Sequence, residues 1–307
     1  MEAVALGYVA VAAHCNGWHY YLFFPGLAAL SHDVLTRPWG KWASQPRRLV
    51  LTPVLGAAIG TLITAAFPFG VVSIVLVVAL CVLAIGLLKS NIAPAIAAGV
   101  LPVFLGIKTW AYPASVAASL IVLACILLAR QRRCRPSHPD LDDVLETRPG
   151  GTAWALPFFV FVAVMALCAT ASGQRLILFP PLIVIAYEMF AHPTVCPWAG
   201  KPVALPAACF LTSTVGCVAV GLFGSGGVAA ACAMAFGVAT LRVLRLHIPP
   251  ALAVGLLPLV IHSPDVRYPV CVLIGTGAVT LAFRLYQRWA IGRARAGRDK
   301  PDNLRSA

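Results

Sequence analysis

Two acidic residues lie within apolar segments of the sequence, Asp33 in "FPGLAALSHDVL" and Glu188 in "FPPLIVIAYEMF". A carboxylate in or near hydrocarbon is costly, so such a residue is usually functional or paired with a base. The pattern predicts that Asp33 and Glu188 couple proton movement to another process. Two alternatives stay open: a fixed ion pair with Arg37 or Arg47, and placement of the acids at helix ends near lipid headgroups. His32, next to Asp33, adds a group that titrates near neutral pH.

A second group of candidate residues stands at the start of two apolar segments, "NIAPAIAAGVLP" (91–102) and "HIPPALAVGLLP" (247–258). Proline near a helix start is sterically allowed, and the free N–H groups and dipole there favour an anion. A basic residue precedes each segment by two positions. These features predict a site for an anionic or polar solute, formed by Lys89, Asn91, Pro94, Arg245, His247, Pro249 and Pro250. The alternative is that Lys89 and Arg245 are interfacial anchors and His247 an ordinary interfacial histidine. Pro102 and Pro258 are expected to break or end the two helices.

The composition places these residues in a membrane protein. Of 307 residues, 60% are hydrophobic and only 11% are charged, which is too little charge to cover a soluble surface. Continuous apolar runs of about 17–21 residues match the thickness of a bilayer. The net charge of +13 comes from basic residues in loops and at the C-terminus, as positive-inside sorting predicts, so nucleic acid is not expected as a partner. The ten cysteines show no CxxC spacing, and no disulfide or metal site is predicted.

The two proline-containing segments belong to a longer internal similarity. A shift of 156 positions places 91–102 on 247–258, Tyr112-Pro113 on Tyr268-Pro269 and Gly60 on Gly216, and a shift of 155 places Asp33 on Glu188. Ordered agreement of Pro, Gly and Tyr over such a distance indicates duplication. We therefore predict an all-α polytopic membrane protein with two tandem parallel repeats of about six segments, some of them short and interrupted by Pro or Gly.

The predicted organisation has four parts. Residues 1–131 form the first membrane repeat, 132–152 a cytoplasmic linker, 153–291 the second membrane repeat and 292–307 a basic cytoplasmic tail. The predicted segments are 2–15, 18–35, 48–67, 71–88, 92–107 and 112–130 in the first repeat, and 153–172, 174–190, 203–223, 227–244, 248–262 and 268–288 in the second.

The distribution of basic residues predicts sidedness. Six crossings per repeat place all Lys and Arg in the cytoplasm except Lys108, Arg175 and Arg267, as the positive-inside rule requires. An even number of crossings makes the repeats parallel, related by an axis along the membrane normal. The predicted location is the inner membrane, with linker and C-terminus cytoplasmic. The second and fifth segments of each repeat are short, and whether they cross or re-enter stays open.

The segment "LHIPPALAVGLLP" (246–258) resembles the signature of the HPP integral membrane family, a His-Pro-Pro motif followed by small residues and a Leu-Leu-Pro ending. "FPPLIVIAYEMFAHP" (179–193) looks like the region upstream of that motif. Here Ile248 separates His247 from Pro249. The resemblance implies a small multi-span protein of a family considered to contain transporters, whose plant and cyanobacterial members are linked to nitrite movement. It assigns the motif histidine to His247 and the motif prolines to Pro249 and Pro250.

These observations favour a secondary transporter or channel-like permease for a small polar or anionic solute, with its site between the two fifth segments. The sequence contains no Ser/His/Asp constellation, no HExxH and no cofactor fingerprint, so we predict neither an enzyme nor a cofactor. Two alternatives stay open: an intramembrane enzyme acting on a lipid-linked substrate, and a non-transporting scaffold subunit. The predicted partners are the solute and membrane lipid, and a homo-oligomer is left open.

Overall fold

A computed structural model describes residues 1–15, 22–133, 153–193, 196–261 and 265–298. Within these residues the fold is helical and contains no strand. Short 3-10 turns occur at Arg175–Leu178 and Leu257–Leu259. The helices are α1 Glu2–Cys15, α2 Gly26–Thr36, α3 Pro46–Ala66, α4 Val71–Leu87, α5 Pro94–Leu105, α6 Ala111–Arg133, α7 Ala155–Ala171, α8 Pro180–Ala191, α9 Ala204–Phe223, α10 Gly227–Val243, α11 Pro249–Leu256 and α12 Arg267–Arg298.

Four of these helices are long and apolar enough to cross a membrane: α3, α6, α9 and the Arg267–Trp289 part of α12. Their outer faces expose large apolar side chains, including Leu62, Ile121, Leu222 and Leu281, each more than half exposed. Exposed apolar surface of this extent is a lipid-facing surface, since water would disfavour it. The prediction of an all-α membrane protein is confirmed at this level.

The centre of the molecule is a ring of four short helices. α2 packs on α5, α5 on α8, α8 on α11 and α11 on α2. Every residue of α8 and α11 is buried, as are nearly all residues of α2 and α5. The short helices thus have no lipid-facing stripe, because the longer helices surround them. In this ring α5 and α11 stand at opposite corners.

Glycine allows the long helix α3 to approach the short helix α5. A Cβ added to Gly60 would overlap the carbonyl oxygen of Gly99, and Thr52 Oγ1 donates to Ser90 Oγ at 2.9 Å. The two helices therefore run in the same direction, with Pro94 about two to three turns beyond the start of α3, or ~13 Å along it. Along their common direction, α5 therefore begins well after α3 begins. α9 and α11 meet in the same way, through Gly216 and Gly255.

The predicted break at Pro102 is wrong, because α5 continues through it to Leu105. Proline has no N–H, so the carbonyl four residues earlier loses its helical donor. The hydroxyl of Tyr112 donates to that carbonyl, at Ala98, over 3.2 Å. A tyrosine from the next helix therefore supplies the missing donor and lets the helix continue.

Pro258 has the same kind of compensation, although here the helix does change. α11 ends at Leu256 and a 3-10 turn containing Pro258 follows. The hydroxyl of Tyr268 donates to the carbonyl of Val254, four residues before Pro258, over 2.8 Å. The N–H of Leu257 also donates to the Val254 carbonyl, so the Tyr268 hydroxyl is a second donor there. Because hydrogen-bond donors are scarce away from water, both tyrosine hydroxyls have a structural role.

Removing either hydroxyl should destabilise the protein without changing its packing. We expect Tyr112→Phe and Tyr268→Phe each to lower the free energy of unfolding by about 1 kcal/mol, measured as a lower midpoint of thermal unfolding in detergent. Tyr286→Phe is the control, because the Tyr286 hydroxyl has no hydrogen bond in the described part of the chain. Equal midpoints for all three variants would contradict this role.

The predicted linker and the predicted C-terminal tail are each described only in part. Most of the predicted linker, from residue 134 onward, and the last nine residues of the predicted tail lie outside the described residues. α12 continues to Arg298, so the first part of the predicted tail is helical and extends the last segment.

Candidate functional site

Asp33 lies in the last turns of α2 and is almost completely buried. Arg37, one helical turn later, donates from Nε to Asp33 Oδ1 at 3.0 Å, and a second guanidinium nitrogen also contacts this oxygen. His247, just before α11, places Nε2 3.2 Å from the same oxygen. Asp33 is thus an acid held between two bases, one directly after the end of its own helix and one from a distant part of the chain.

A cavity of about 310 Å³ lies beside this group, and we call it the Asp33 cavity. At its edge, Glu2 forms an ion pair with Arg242 at 2.6 Å and lies 3.9 Å from His32 Nε2. The cavity therefore reaches from an exposed ion pair to the groups that hold Asp33. Its polar lining consists of Glu2, His32, Thr36, Arg37, Arg242 and His247.

Glu188, in α8, is the centre of a second buried group. His192, one turn later, places Nδ1 3.1 Å from Glu188 Oε2, and Lys41 Nζ lies 3.5 Å from this oxygen. The side chains of Glu188, His192 and Lys41 are 7%, 9% and 10% exposed. Arg37 and His247, by contrast, are 36% and 39% exposed. The Glu188 group is sealed, whereas the Asp33 group can be reached.

The Asp33 group and the Glu188 group have the same arrangement of bases around the acid. Each acid has a base four residues later, directly after the end of its helix: Arg37 for Asp33 and His192 for Glu188. Each acid also meets a base from the other half of the chain: His247 reaches Asp33, and Lys41 reaches Glu188. These contacts tie the two halves together at the end of the molecule where most basic side chains lie.

Lys89 and Arg245 lie elsewhere than at a helix start. Both are exposed and adopt the left-handed conformation, with φ of 48° and 51°. The N–H of Lys89 bonds to the carbonyl of Gly86, and the N–H of Ser90 to that of Ile85; Arg245 repeats the arrangement at the end of α10. These are helix C-terminal motifs, where a cation also complements the dipole. Their backbone role is to end α4 and α10.

The other predicted residues are divided between two places. Asn91 is half-buried, and its N–H donates to Gln45 Oε1 at 3.2 Å, while Pro94 is the buried first residue of α5. Pro249 lines the Asp33 cavity and Pro250 is buried behind it. Because α5 packs on α8 and α11 packs on α2, the two fifth segments do not lie side by side. Of the predicted solute-binding residues, His247 and Pro249 border the cavity.

Several residues of the site were not predicted from the sequence. The spacing of Glu188 and His192 is a helical i, i+4 pair and could have indicated the contact, as it did for Asp33 and Arg37. Lys41, Glu2 and Arg242 left no such signal, since each meets its partner across the fold.

The arrangement has a simple chemical capacity. When the buried Asp33 carboxylate takes up a proton, its contacts to Arg37 and His247 weaken. These two side chains can then donate hydrogen bonds to another acceptor that enters the cavity. Comparison of the chain with models of protein families, with curated proteins and with solved structures finds no match.

Proposed function

We propose that this protein is a secondary transporter or permease for a small polar or anionic solute. The observation that carries the proposal is Asp33, a buried acid whose two basic partners, Arg37 and His247, line a cavity. An intramembrane acid beside a cavity is typical of ion and proton pathways. A scaffold subunit has no need of such a cavity.

We infer that the protein consists of two tandem copies, α1–α6 and α7–α12. The packing supports this, because most helix contacts have a counterpart six helices on: α1 packs on α10 and α7 on α4, while α2 packs on α11 and α8 on α5. The tyrosine–carbonyl bonds at Tyr112 and Tyr268 and the left-handed residues Lys89 and Arg245 recur at the same spacing of 156 residues. Exchange of contacts between the copies is expected when two parallel repeats pack around a common axis.

We also propose that the end carrying Asp33 faces the cytoplasm of a bacterial-type inner membrane. Arg37, Lys41, Arg48, Arg242 and Arg245 all belong to this end, and Arg48 Nη1 donates to the carbonyl of Lys89 at 2.7 Å. The positive-inside rule then places the linker and the C-terminal end of α12 on the same side.

The solute site of this proposal is the Asp33 cavity rather than a contact between α5 and α11. The proton-coupling roles of Asp33 and Glu188 remain part of the proposal, with Asp33 favoured because solvent and solute can reach its partners. Lys89 and Arg245 then contribute positive potential at the cytoplasmic surface rather than direct contacts.

Transport can be measured in proteoliposomes with an imposed pH gradient, using nitrite, nitrate, sulfite and formate as probes. We expect accumulation of at least one probe by the native protein, and loss of its gradient dependence in Asp33→Asn. Asp265→Asn is the matched control, because Asp265 is an exposed acid paired with Arg267. Gradient-driven accumulation that survives in Asp33→Asn would contradict coupling, and absence of uptake for a full panel of small solutes would contradict transport.

A further inference from the structure

We propose that the solute is a singly charged anion that binds together with one proton, because the anion and the Asp33 carboxylate compete for Arg37 and His247. This inference rests on the proposed function and specifies its solute and its coupling. It concerns only the Asp33 cavity.

The charges around the cavity indicate that an anion should bind together with a proton. Among the described residues of this group, the two arginines, Arg37 and Arg242, are matched by the two acids, Asp33 and Glu2, so these four side chains carry no net formal charge. An anion that enters this balanced group next to the buried Asp33 carboxylate adds a second negative charge close to the first, and that charge is costly where the carboxylate is shielded from water. Uptake of one proton restores the balance. A cation would need a proton to leave instead, and Asp33 already lacks one when it is paired with Arg37.

The geometry of the site allows an anion to compete with Asp33 for Arg37 and His247. Both bases direct their nitrogens to one oxygen, Asp33 Oδ1, from Arg37 at 3.0 Å and His247 at 3.2 Å. Arg37 and His247 are also the partly exposed members of the group and line the cavity, whereas Asp33 lies behind them. An anion in the cavity therefore meets the same two side chains from the open side. A planar oxyanion can accept from the guanidinium fork in place of the carboxylate.

The remaining neighbours of Asp33 do not offer another base for this exchange. α5 contains no charged residue, and the three arginines in the last turn of α6 do not contact Asp33. His32 on α2, Glu2 on α1 and Arg242 on α10 face the cavity, and Glu2 already pairs with Arg242. Competition at Asp33 thus involves Arg37 and His247 among the described residues.

The proton balance follows directly. A proton from solvent bonds to an Asp33 carboxylate oxygen, the two contacts to Arg37 and His247 open, and the anion accepts from both bases. Release of the anion on the other side returns the bases to Asp33, which then gives up its proton. One negative charge and one proton move together, so the step is electroneutral. Glu188 does not take part in this exchange, because Lys41 and His192 are both buried around it.

Nitrate is a suitable probe, since it stays singly charged at every pH used. Binding to the purified full-length protein is measured by calorimetry between pH 6 and pH 8, in buffers with different enthalpies of ionisation, which count the protons bound with each anion. We expect nitrate affinity to fall with rising pH, by up to about tenfold per pH unit, and about one proton to be bound with each nitrate. Formate and the divalent anion sulfate test the charge class, with sulfate weaker.

Three variants separate competition from a structural role. Asp33→Asn should bind nitrate as well at pH 8 as at pH 6, with the proton count lower by about one. His247→Asn, which introduces the residue found at position 91, should weaken nitrate binding at both pH values. Asp265→Asn should match the native protein.

Nitrate affinity of the native protein that is flat between pH 6 and pH 8 would overturn the proposal without any variant, as would absence of binding for both nitrate and formate. Weaker nitrate binding by Asp33→Asn at pH 6 would also overturn it, because the acid would then orient the bases rather than compete for them. Proton-linked binding without movement across the membrane would leave this inference standing and overturn the transporter. Transport of neutral solutes alone would support the transporter and overturn this inference.

Discussion

Replacing Gly60 or Gly216 by alanine should prevent the protein from reaching its native packing. A Cβ at Gly60 would overlap the backbone carbonyl of Gly99, and one at Gly216 would overlap that of Gly255. The obstacle is helix backbone, which cannot rotate away as a side chain can. We expect each substitution to lower the free energy of unfolding by about 3 kcal/mol or more, at the upper end of overpacking effects.

The same long helix provides the control. Gly221 lies in α9 five residues after Gly216, and a Cβ added there meets nothing within 4 Å. Gly221→Ala should be neutral or slightly stabilising, by up to about 1 kcal/mol, because alanine favours the helix. The measurement is the midpoint of thermal unfolding in detergent together with the fraction of monodisperse protein. If Gly216→Ala and Gly221→Ala gave the same result, the close approach of α9 and α11 would not be needed for stability.

The expected size of this effect follows from the environment of the short helices. Association of helices in lipid gains little from the hydrophobic effect, so close backbone packing must contribute instead. α5 and α11 are held by α3 and α9 at their glycines and by Tyr112 and Tyr268 near their prolines. Loss of one glycine would move a short helix and, with it, the neighbouring members of the ring. Movement of α11 would also displace His247 from Asp33.

Most helices could be located from the sequence because apolar length and Pro/Gly boundaries are local properties. The predicted segments 18–35 and 174–190 start too early, since the helices α2 and α8 begin only at Gly26 and Pro180.

Asp33 and Glu188 were recognisable from local sequence, as acids in apolar segments. Their partners from the other half of the chain were not, because the choice of His247 and Lys41 depends on which helices meet across the two halves. Local spacing carries no information about such contacts.

Lys89 and Arg245 illustrate a different limit. A basic residue before an apolar, proline-containing segment was interpreted as part of the following helix start. The structure places each one at the end of the preceding helix, in a left-handed conformation that glycine usually adopts. Because a lysine or arginine gives no hint of positive φ, the sequence could not distinguish the end of one helix from the beginning of the next.

Removing Lys41 should destabilise the protein more than removing a surface base of similar geometry. Lys41 Nζ lies 3.5 Å from Glu188 Oε2, and both side chains are at most 10% exposed. Lys41→Met leaves a buried carboxylate with His192 as its neighbouring base, at an expected cost of about 3–5 kcal/mol. Arg267 Nε also lies 3.5 Å from an acid, Asp265, but these side chains are 73% and 55% exposed. Arg267→Met should therefore cost less than about 1 kcal/mol.

A double-mutant cycle separates this ion pair from the other contacts of Lys41. Glu188→Gln removes the charge that Lys41 compensates, so Lys41→Met should cost much less in the Glu188→Gln background than in the native protein. We expect a coupling free energy of about 2–3 kcal/mol from thermal unfolding of the four proteins. Additive effects would instead mean that Lys41 acts by packing, and that the sealed state of the Glu188 group does not depend on its charge. A large coupling would explain how the buried Glu188 carboxylate can stay ionised at the boundary between the two halves. Glu188 belongs to the second half of the chain, and Lys41, the cation that compensates it, belongs to the first.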